Sequence, residues 1–126
     1  MKALDKDFKD VQYGSNIRFC DMNYKRADES IIKAITDQDR IDQEEYVADF
    51  FDCDDFTFAL MGAFHHCRET AAMPIFIIYV QWGEEGNIAA HSIMSYYNNG
   101  QIILIEPQSD HCYTVPADWI LTFLTG

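Results

Sequence analysis

One cysteine, one histidine and one glutamate follow each other along the chain in an order suited to thiol chemistry. Cys53 comes directly after Asp52, a good N-cap, so we predict that its thiol lies at the positive end of a helix, where free N–H groups and the dipole favour a thiolate. His91 and Glu106 lie in two later segments with strand patterns. Three such groups can act as nucleophile, general base and orienting carboxylate in acyl transfer.

The loop between those two segments decides whether His91 and Glu106 meet. Asn99-Gly100 is a strong signal for a two-residue type I′ hairpin turn. With that turn the two residues lie on one face of a sheet as diagonal neighbours, about 5–8 Å apart between Cβ atoms, so the carboxylate can orient the imidazole. A three-residue loop would reverse the alternation and separate them. The prediction of a contact therefore depends on the turn.

Two helices are predicted ahead of the strands. The first covers 27–35, with Asp28 as its N-cap. The second starts after Asp52, and its apolar residues recur at helical spacing: Phe56, Ala59, Leu60, Ala63 and Phe64. The acidic segment 37–55 is predicted to form a turn and a short helix, since four apolar residues recur in it at roughly helical spacing: Ile41, Tyr46, Val47 and Phe50.

Three strands are predicted after the helices, over 75–82, 88–97 and 101–106. Further turn signals are Tyr13-Gly14-Ser15-Asn16, residues 83–86 and Pro107, which ends the third strand. The tail from Pro116 predicts a short helix or a closing turn that buries Trp119. Together these elements predict an α+β fold in which the helix that carries Cys53 packs on a small antiparallel sheet.

Three short segments give the sequence a family resemblance. Asp52-Cys53-Asp54-Asp55-Phe56, His91 at a strand start, and Ile105-Glu106-Pro107-Gln108 resemble the C-terminal domain of the fungal mushroom agglutinins, and small bacterial and phage proteins share the pattern. The resemblance covers about residues 46–119. It implies a minimal papain-like fold and a calcium- or manganese-dependent cysteine protease that acts on a protein or peptide substrate.

The same resemblance implies roles for individual residues. Cys53, His91 and Glu106 would form the catalytic triad, and the metal would be bound by Asp54, Asp55 and Gln108. A divalent cation there would offset the carboxylates around Cys53, which otherwise disfavour a thiolate. The sequence departs from the wider papain pattern in its oxyanion-hole glutamine. Val47 stands six residues before the cysteine, and the nearest glutamine is Gln43.

Composition limits the remaining function classes. The 126 residues predict a single domain, with 21 acidic against 9 basic residues and a net charge of -12. Such a charge disfavours nucleic acid and anionic membranes as partners. The longest apolar segment, 71–80, is too short to span a bilayer. The charged N-terminus and four cysteines without a CxxC pair are typical of a cytoplasmic protein with free thiols.

Two alternatives to a peptidase stay open at this stage. A small acidic protein could bind and inhibit a partner, for example as a DNA mimic, or the chain could be a papain-like binding domain without catalysis. Carboxylates that converge beside Cys53 would favour the metal-dependent enzyme over a mimic. His65-His66-Cys67 is interpreted as a helix end rather than a zinc site, because adjacent helical histidines point about 100° apart. A dimer is possible.

Overall fold

A computed structural model describes residues 2–14, 16–48 and 52–126. Within these ranges the helices are α1 (Lys2–Asp7), α2 (Glu29–Gln38), α3 (Cys53–His66) and α4 (Arg68–Ala71), with a 3-10 turn at Ile41–Gln43. The strands are β1 (Asp10–Val11), β2 (Ile17–Arg18), β3 (Ile75–Glu84), β4 (Asn87–Asn98), β5 (Gln101–Glu106), β6 (His111–Thr114) and β7 (Ile120–Thr125). They form one sheet in the order β1-β7-β3-β4-β5-β6, and β2 also pairs with β7. The fold is α+β, as the sequence predicts.

The hairpin between β4 and β5 has the predicted register. Asn98 pairs with Gln101, which leaves a loop of two residues. Asn99 has a φ of 49° and Gly100 a φ of 81°, the two positive values that a type I′ turn requires. The alternation that brings His91 and Glu106 to one face therefore holds.

The two faces of the sheet bury two separate cores. One face packs against α1, and its buried residues are Leu4, Phe8, Phe76, Ile78, Val80, Ile93, Ile102, Leu104, Trp119, Leu121 and Leu124. The other packs against α2 and α3, and its buried residues are Ile32, Leu60, Met61, Phe64, Met73, Ile75, Ile77, Met94, Tyr96 and Ile105. Each fully buried large apolar side chain contributes about 1.5–3 kcal/mol. The helix that begins at Cys53 is thereby held against one face only.

Side-chain caps fix where α2 and α3 begin. The Asp28 carboxylate accepts hydrogen bonds from the N–H groups of Ser30 and Ile31, as expected for the predicted N-cap. At α3, Asp52 and Asp55 form a capping box in which the Asp52 N–H donates to the Asp55 carboxylate at 3.2 Å. The capping box places Cys53 as the first helical residue.

The buried face of α3 differs in part from the predicted stripe. Phe56, Leu60 and Phe64 are buried, whereas Ala59 and Ala63 are only half-buried, and Thr57 and Met61 are buried as well. Burial of Thr57 is compatible with its hydroxyl because the group donates to the Cys53 carbonyl oxygen at 2.8 Å. The helix is thus rotated so that the 56–60–64 row and the 57–61 row both contact the sheet.

Several strands lie outside the sequence prediction. β7 lies between β3 and the short edge strands, antiparallel to β3 and parallel to the two-residue strands β1 and β2. The closing turn before it is confirmed, since the Trp119 N–H donates to the Pro116 carbonyl and Trp119 is buried. The short helix predicted within 37–55 is the single 3-10 turn at Ile41–Gln43, and Phe50 lies outside the described residues, as does Ser15 of the first predicted turn. No helix of the described residues is long and apolar enough to cross a bilayer.

Candidate active site

His91 and Glu106 form a short polar contact between β4 and β5. The imidazole Nε2 lies 2.7 Å from Glu106 Oε2, and the two side chains are 20% and 17% exposed. The pair lies just beyond Met94 and Ile105, the last residues at which β4 and β5 pair. The other oxygen of Glu106 accepts the N–H of Gln108 at 3.4 Å. A carboxylate held at both oxygens in a half-buried site fixes the orientation of the imidazole ring.

Aromatic side chains border this pair. Trp82 stacks on Trp119 with ring centroids 4.9 Å apart, and Tyr113 meets Trp119 edge to face at 6.2 Å. Burial, and then the charge of Glu106, raise the pKa of Tyr113 to about 12, so this phenol is neutral and near the carboxylate. These rings belong to the core on the same face of the sheet as the pair, and such a low-polarity surrounding strengthens electrostatic interactions.

Cys53 occupies the predicted place at the start of α3, on the opposite face from the histidine. Its side chain is half-buried, and its thiol makes no hydrogen bond with any described residue. The helix packs on the face that carries Met94, whereas His91 alternates onto the face of Ile93. The structure thus joins two members of the predicted triad, and the third lies at the helix end without a bond to either.

Three carboxylates converge beside the thiol. Asp52, Asp54 and Asp55 each offer an oxygen within 4.8 Å of the others, so the two predicted ligands come together with one that the sequence reading did not include. A hydrogen bond with the Asp54 side chain, then burial and the charge of Asp54, raise the pKa of Asp52 to about 6. Oxygen-rich, negatively charged donor sets suit hard cations such as calcium and manganese, so these residues fit such a metal.

Gln108, the third predicted metal ligand, lies in the turn after β5. Its backbone N–H contacts Glu106, and its side chain makes no hydrogen bond with a described residue. Its role as a ligand stays a prediction.

Two hydroxyl residues at the same end of α3 were missed by the sequence reading. Tyr79 pairs directly with Ser92 across β3 and β4, on the face against which α3 packs. Burial and then the charge of Asp54 raise the pKa of the Tyr79 phenol, the Ser92 hydroxyl offsets part of this rise, and the charges of Cys53 and Asp52 add to it. The hydroxyl is therefore within electrostatic reach of the first helical turn. The two-residue loop Glu85-Gly86 sets the β3–β4 register. Gly86, which has a positive φ, was the sequence feature from which this register could have been predicted.

The remaining cysteines have different surroundings. All four thiols are free. Cys67 follows α3, and the N–H groups of Thr70 and Glu69 lower the pKa of its thiol. Burial raises the pKa of the Cys112 thiol, and Cys20 Sγ lies 3.6 Å from the Thr125 hydroxyl. His65 and His66 are exposed in the last turn of α3, and the described residues place neither of them in a metal-ligand cluster.

Comparisons with known proteins identify relatives of the fold. No protein-family model matches the chain, and no curated protein matches it. Among solved structures, the PSL1a–E64 complex superimposes with a TM-score of 0.73 at 18% identity, covering 98% of this chain and 45% of that chain. Polyporus squamosus lectin bound to the human-type influenza-binding epitope Neu5Aca2-6Galb1-4GlcNAc superimposes with a TM-score of 0.71 at 15% identity. This match covers 87% of this chain and 42% of that chain. The chain therefore has the fold of part of a mushroom lectin and spans less than half its length.

Proposed function

We propose that the chain is a papain-like cysteine peptidase. The observation that carries the proposal is the 2.7 Å contact between His91 and Glu106, two residues fifteen positions apart. An imidazole oriented by a carboxylate is the base that thiol acyl transfer needs. Cys53, at the start of α3, is the nucleophile, and a protein or peptide is the substrate.

The proposed reaction uses each group in turn. His91 takes the proton of the Cys53 thiol, and the thiolate forms a bond to the carbonyl carbon of the substrate. The C–N bond then breaks, and His91 returns its proton to the departing amine. Water, deprotonated by His91, cleaves the thioester and restores the thiol. Glu106 keeps the ring in one tautomer throughout. The first step requires the Cys53 thiol to reach His91 past the point where β4 and β5 cease to pair.

Calcium or manganese is the proposed cofactor, bound by Asp52, Asp54 and Asp55 with Gln108 as a further candidate ligand. When bound, the cation would offset the negative field of these carboxylates on the neighbouring thiol. Convergence of the acidic side chains at this point also favours a metal-dependent site over a DNA mimic.

A papain-like binding domain without catalysis is the second candidate. Two observations favour it: within the described residues the Cys53 thiol makes no hydrogen bond, and α3 packs on the face opposite His91. In that case, the fold would serve recognition, as a lectin-like relative allows. A nucleophile that stays apart from its base is the physical difference between the two candidates.

Alkylation of single cysteines separates the two. We would measure iodoacetamide labelling of each thiol against pH by peptide mass spectrometry, with calcium and with a chelator. The peptidase proposal expects Cys53 to be alkylated about tenfold or more faster than a free thiol near pH 6.5, where a free thiol is almost fully protonated. Calcium should accelerate the labelling of Cys53. His91→Ala should lower the labelling rate of Cys53 to that of a free thiol. E64, present in the PSL1a complex, serves as a second probe of Cys53.

Cys67 is an internal control in the same sample. Backbone N–H groups favour its thiolate, so its labelling should not respond to His91→Ala. If Cys53 reacts no faster than a free thiol with and without calcium, the peptidase proposal is wrong and the binding domain is favoured.

A further inference from the structure

Acyl transfer to a thiol needs hydrogen-bond donors for the carbonyl oxygen, which becomes negatively charged. The N–H groups of Cys53 and Asp54 lie in the first turn of α3, where no acceptor exists within the helix, and can serve as the backbone part. Two upstream positions do not supply the side-chain part: Val47 has no side-chain donor, and Gln43 is exposed at the end of the 3-10 turn. A donor on another element would complete the site.

Tyr79 brings a hydroxyl to the start of α3. Its ring is fixed by an edge contact with Phe123, 5.3 Å between centroids, and its carbonyl accepts the Thr122 hydroxyl at 3.0 Å. It lines an apolar groove of about 480 Å³ together with Phe58 of α3, which is 52% exposed. The ring is thus held in place at the edge of an open groove beside Phe58 of α3, and the charges of Asp54 and Cys53 at the start of that helix act on its phenol.

Ser92 adds a second, independent observation. It is 1% exposed, and its Oγ makes no hydrogen bond of good geometry in the described part of the chain. It lies directly opposite Tyr79 and immediately follows His91, and its hydroxyl is close enough to the Tyr79 phenol to lower the pKa of that phenol. A buried hydroxyl without a well-formed hydrogen bond costs about 1–3 kcal/mol, and the Tyr79 phenol is the polar group beside it that can offset this cost.

We propose that the Tyr79 hydroxyl is the side-chain donor of the oxyanion hole, with the Ser92 hydroxyl beside it to position it. This inference rests on the proposed peptidase function. Tyr79 would take the role of the oxyanion-hole glutamine, in whose place this sequence has Val47. The groove next to Tyr79 then holds the residue of the substrate that carries the reacting carbonyl. A phenol is protonated at neutral pH, and burial raises the pKa of Tyr79 further, so its O–H remains a donor.

The step that Tyr79 assists is the attack on the carbonyl. As the bond from Cys53 Sγ to the carbonyl carbon forms, the π electrons of the C=O bond move to the oxygen. This oxygen then accepts hydrogen bonds from the Tyr79 O–H and the Cys53 N–H. When the leaving group departs with its electron pair, the carbonyl double bond is restored. Tyr79 gives up no proton in this cycle, and the hydrogen bond is strongest in the intermediate.

p-Nitrophenyl acetate tests the proposal without knowledge of the natural substrate. Its acyl group forms a thioester with Cys53, and p-nitrophenolate leaves as a coloured burst, which Cys53→Ala must abolish. We expect Tyr79→Phe to lower the burst rate by about 10²–10³-fold, the usual loss for one oxyanion donor. Iodoacetamide labelling of Cys53 should stay unchanged, because substitution at a saturated carbon creates no oxyanion. Ser92→Ala should also lower the burst rate, by a smaller factor, and should also leave the iodoacetamide labelling of Cys53 unchanged.

Tyr97→Phe is the matched control, since Tyr97 is a half-buried tyrosine on the opposite face of the sheet. Its burst rate should equal that of the wild type. An equal burst in Tyr79→Phe would overturn the role of Tyr79 while leaving the peptidase proposal intact. A wild type without any Cys53-dependent burst would overturn both, and parallel losses of burst and labelling in Tyr79→Phe would indicate a structural role instead.

Discussion

Glu106 Oε2 lies 2.7 Å from Nε2 of His91, at the point where β4 and β5 cease to pair. The short loop at Asn99-Gly100 sets the register, and the register alone puts both residues on one face. His91 pairs with Val80 of β3 and Glu106 pairs with His111 of β6, but the β4–β5 pairing ends before them, so between these two residues the contact is made by their side chains. This position leaves the imidazole open to a third group.

Replacement of Glu106 tests its role as an orienting group. Glu106→Gln keeps the shape but removes the charge that holds the imidazole in its tautomer. We expect the burst rate with p-nitrophenyl acetate to fall by about 10²–10⁴-fold, the range for loss of general acid–base catalysis. Glu85→Gln is the matched control, because Glu85 is exposed in the loop between β3 and β4. An unchanged rate in Glu106→Gln would show that the contact is structural only.

The acidic cluster predicts a pH-dependent stability that a cation reverses. The pKa of Asp52 is about 6 in the fold and lower in the unfolded chain, so the native state binds the extra proton. Without a cation, its contribution to stability is present below about pH 4 and is lost as the pH rises through about 6. Asp52→Asn, which keeps a good N-cap, should therefore be more stable than the wild type at pH 7 in chelator.

Thermal unfolding against pH, with and without calcium, measures this difference. Calcium should raise the Tm of the wild type more than that of Asp52→Asn, so the order of stability reverses. A screen with magnesium and manganese shows which cation gives the largest shift. Equal calcium shifts in both proteins would contradict a site that includes Asp52.

The backbone requirement of the hairpin turn can be tested by replacing a glycine in the turn and, for comparison, a glycine in a helix. We expect the two replacements to change stability in opposite directions. Gly100 has a φ of 81°, and the side-chain oxygen of its neighbour Asn99 accepts a hydrogen bond from the Arg26 guanidinium at 2.8 Å. Gly100→Ala should cost about 1–2 kcal/mol of unfolding free energy, because an alanine is strained in the left-handed region. Gly62→Ala is the counterpart: Gly62 lies inside α3 with open space around it, so alanine should stabilise by about 0.5–1 kcal/mol.

Urea unfolding of both variants checks the signs. If Gly100→Ala were neutral, the loop would have to relax into another turn, and the register that joins His91 to Glu106 would no longer depend on this glycine.

Local chemistry explains which features the sequence could predict. Asp28, Asp52 and the loop at Asn99-Gly100 act over two to four residues, so the helix starts and the β4–β5 register follow from the residues themselves. The place of β7 depends on pairing with β1, more than a hundred residues away, and two-residue strands leave no alternation to detect. The sequence order of the triad likewise does not determine the face of the sheet on which α3 packs.

The candidate site divides in the same way. The contact between His91 and Glu106 is confirmed because it depends on one turn, whereas the distance from Cys53 depends on how a helix docks. The convergence of Asp54 and Asp55 with Asp52 follows from the capping box, which holds the first helical turn and its carboxylates together. Tyr79 and Ser92 needed the register of a second hairpin, which the sequence reading left unassigned.

A hydrogen-bonded carboxylate ties α2 to the sheet and gives a last prediction. Glu29 accepts the Tyr96 hydroxyl at 2.6 Å and the Asn98 amide at 2.7 Å, and Tyr96 is buried. Glu29→Ala leaves the phenol without this partner, so we expect a loss of about 1–3 kcal/mol in unfolding free energy. Tyr96→Phe alone should cost about 1 kcal/mol, because it removes the donor together with its need for a partner.

The double variant separates the bond from unrelated effects of each change. If the hydroxyl and the carboxylate depend on each other, the loss in Glu29→Ala/Tyr96→Phe is smaller than the sum of the single losses by about 0.5–3 kcal/mol. Urea unfolding, followed by the fluorescence of Trp82 and Trp119, gives the three free energies. Strict additivity would mean that Glu29 holds α2 through its bond to Asn98, and Asn98→Ala would then reproduce the full loss.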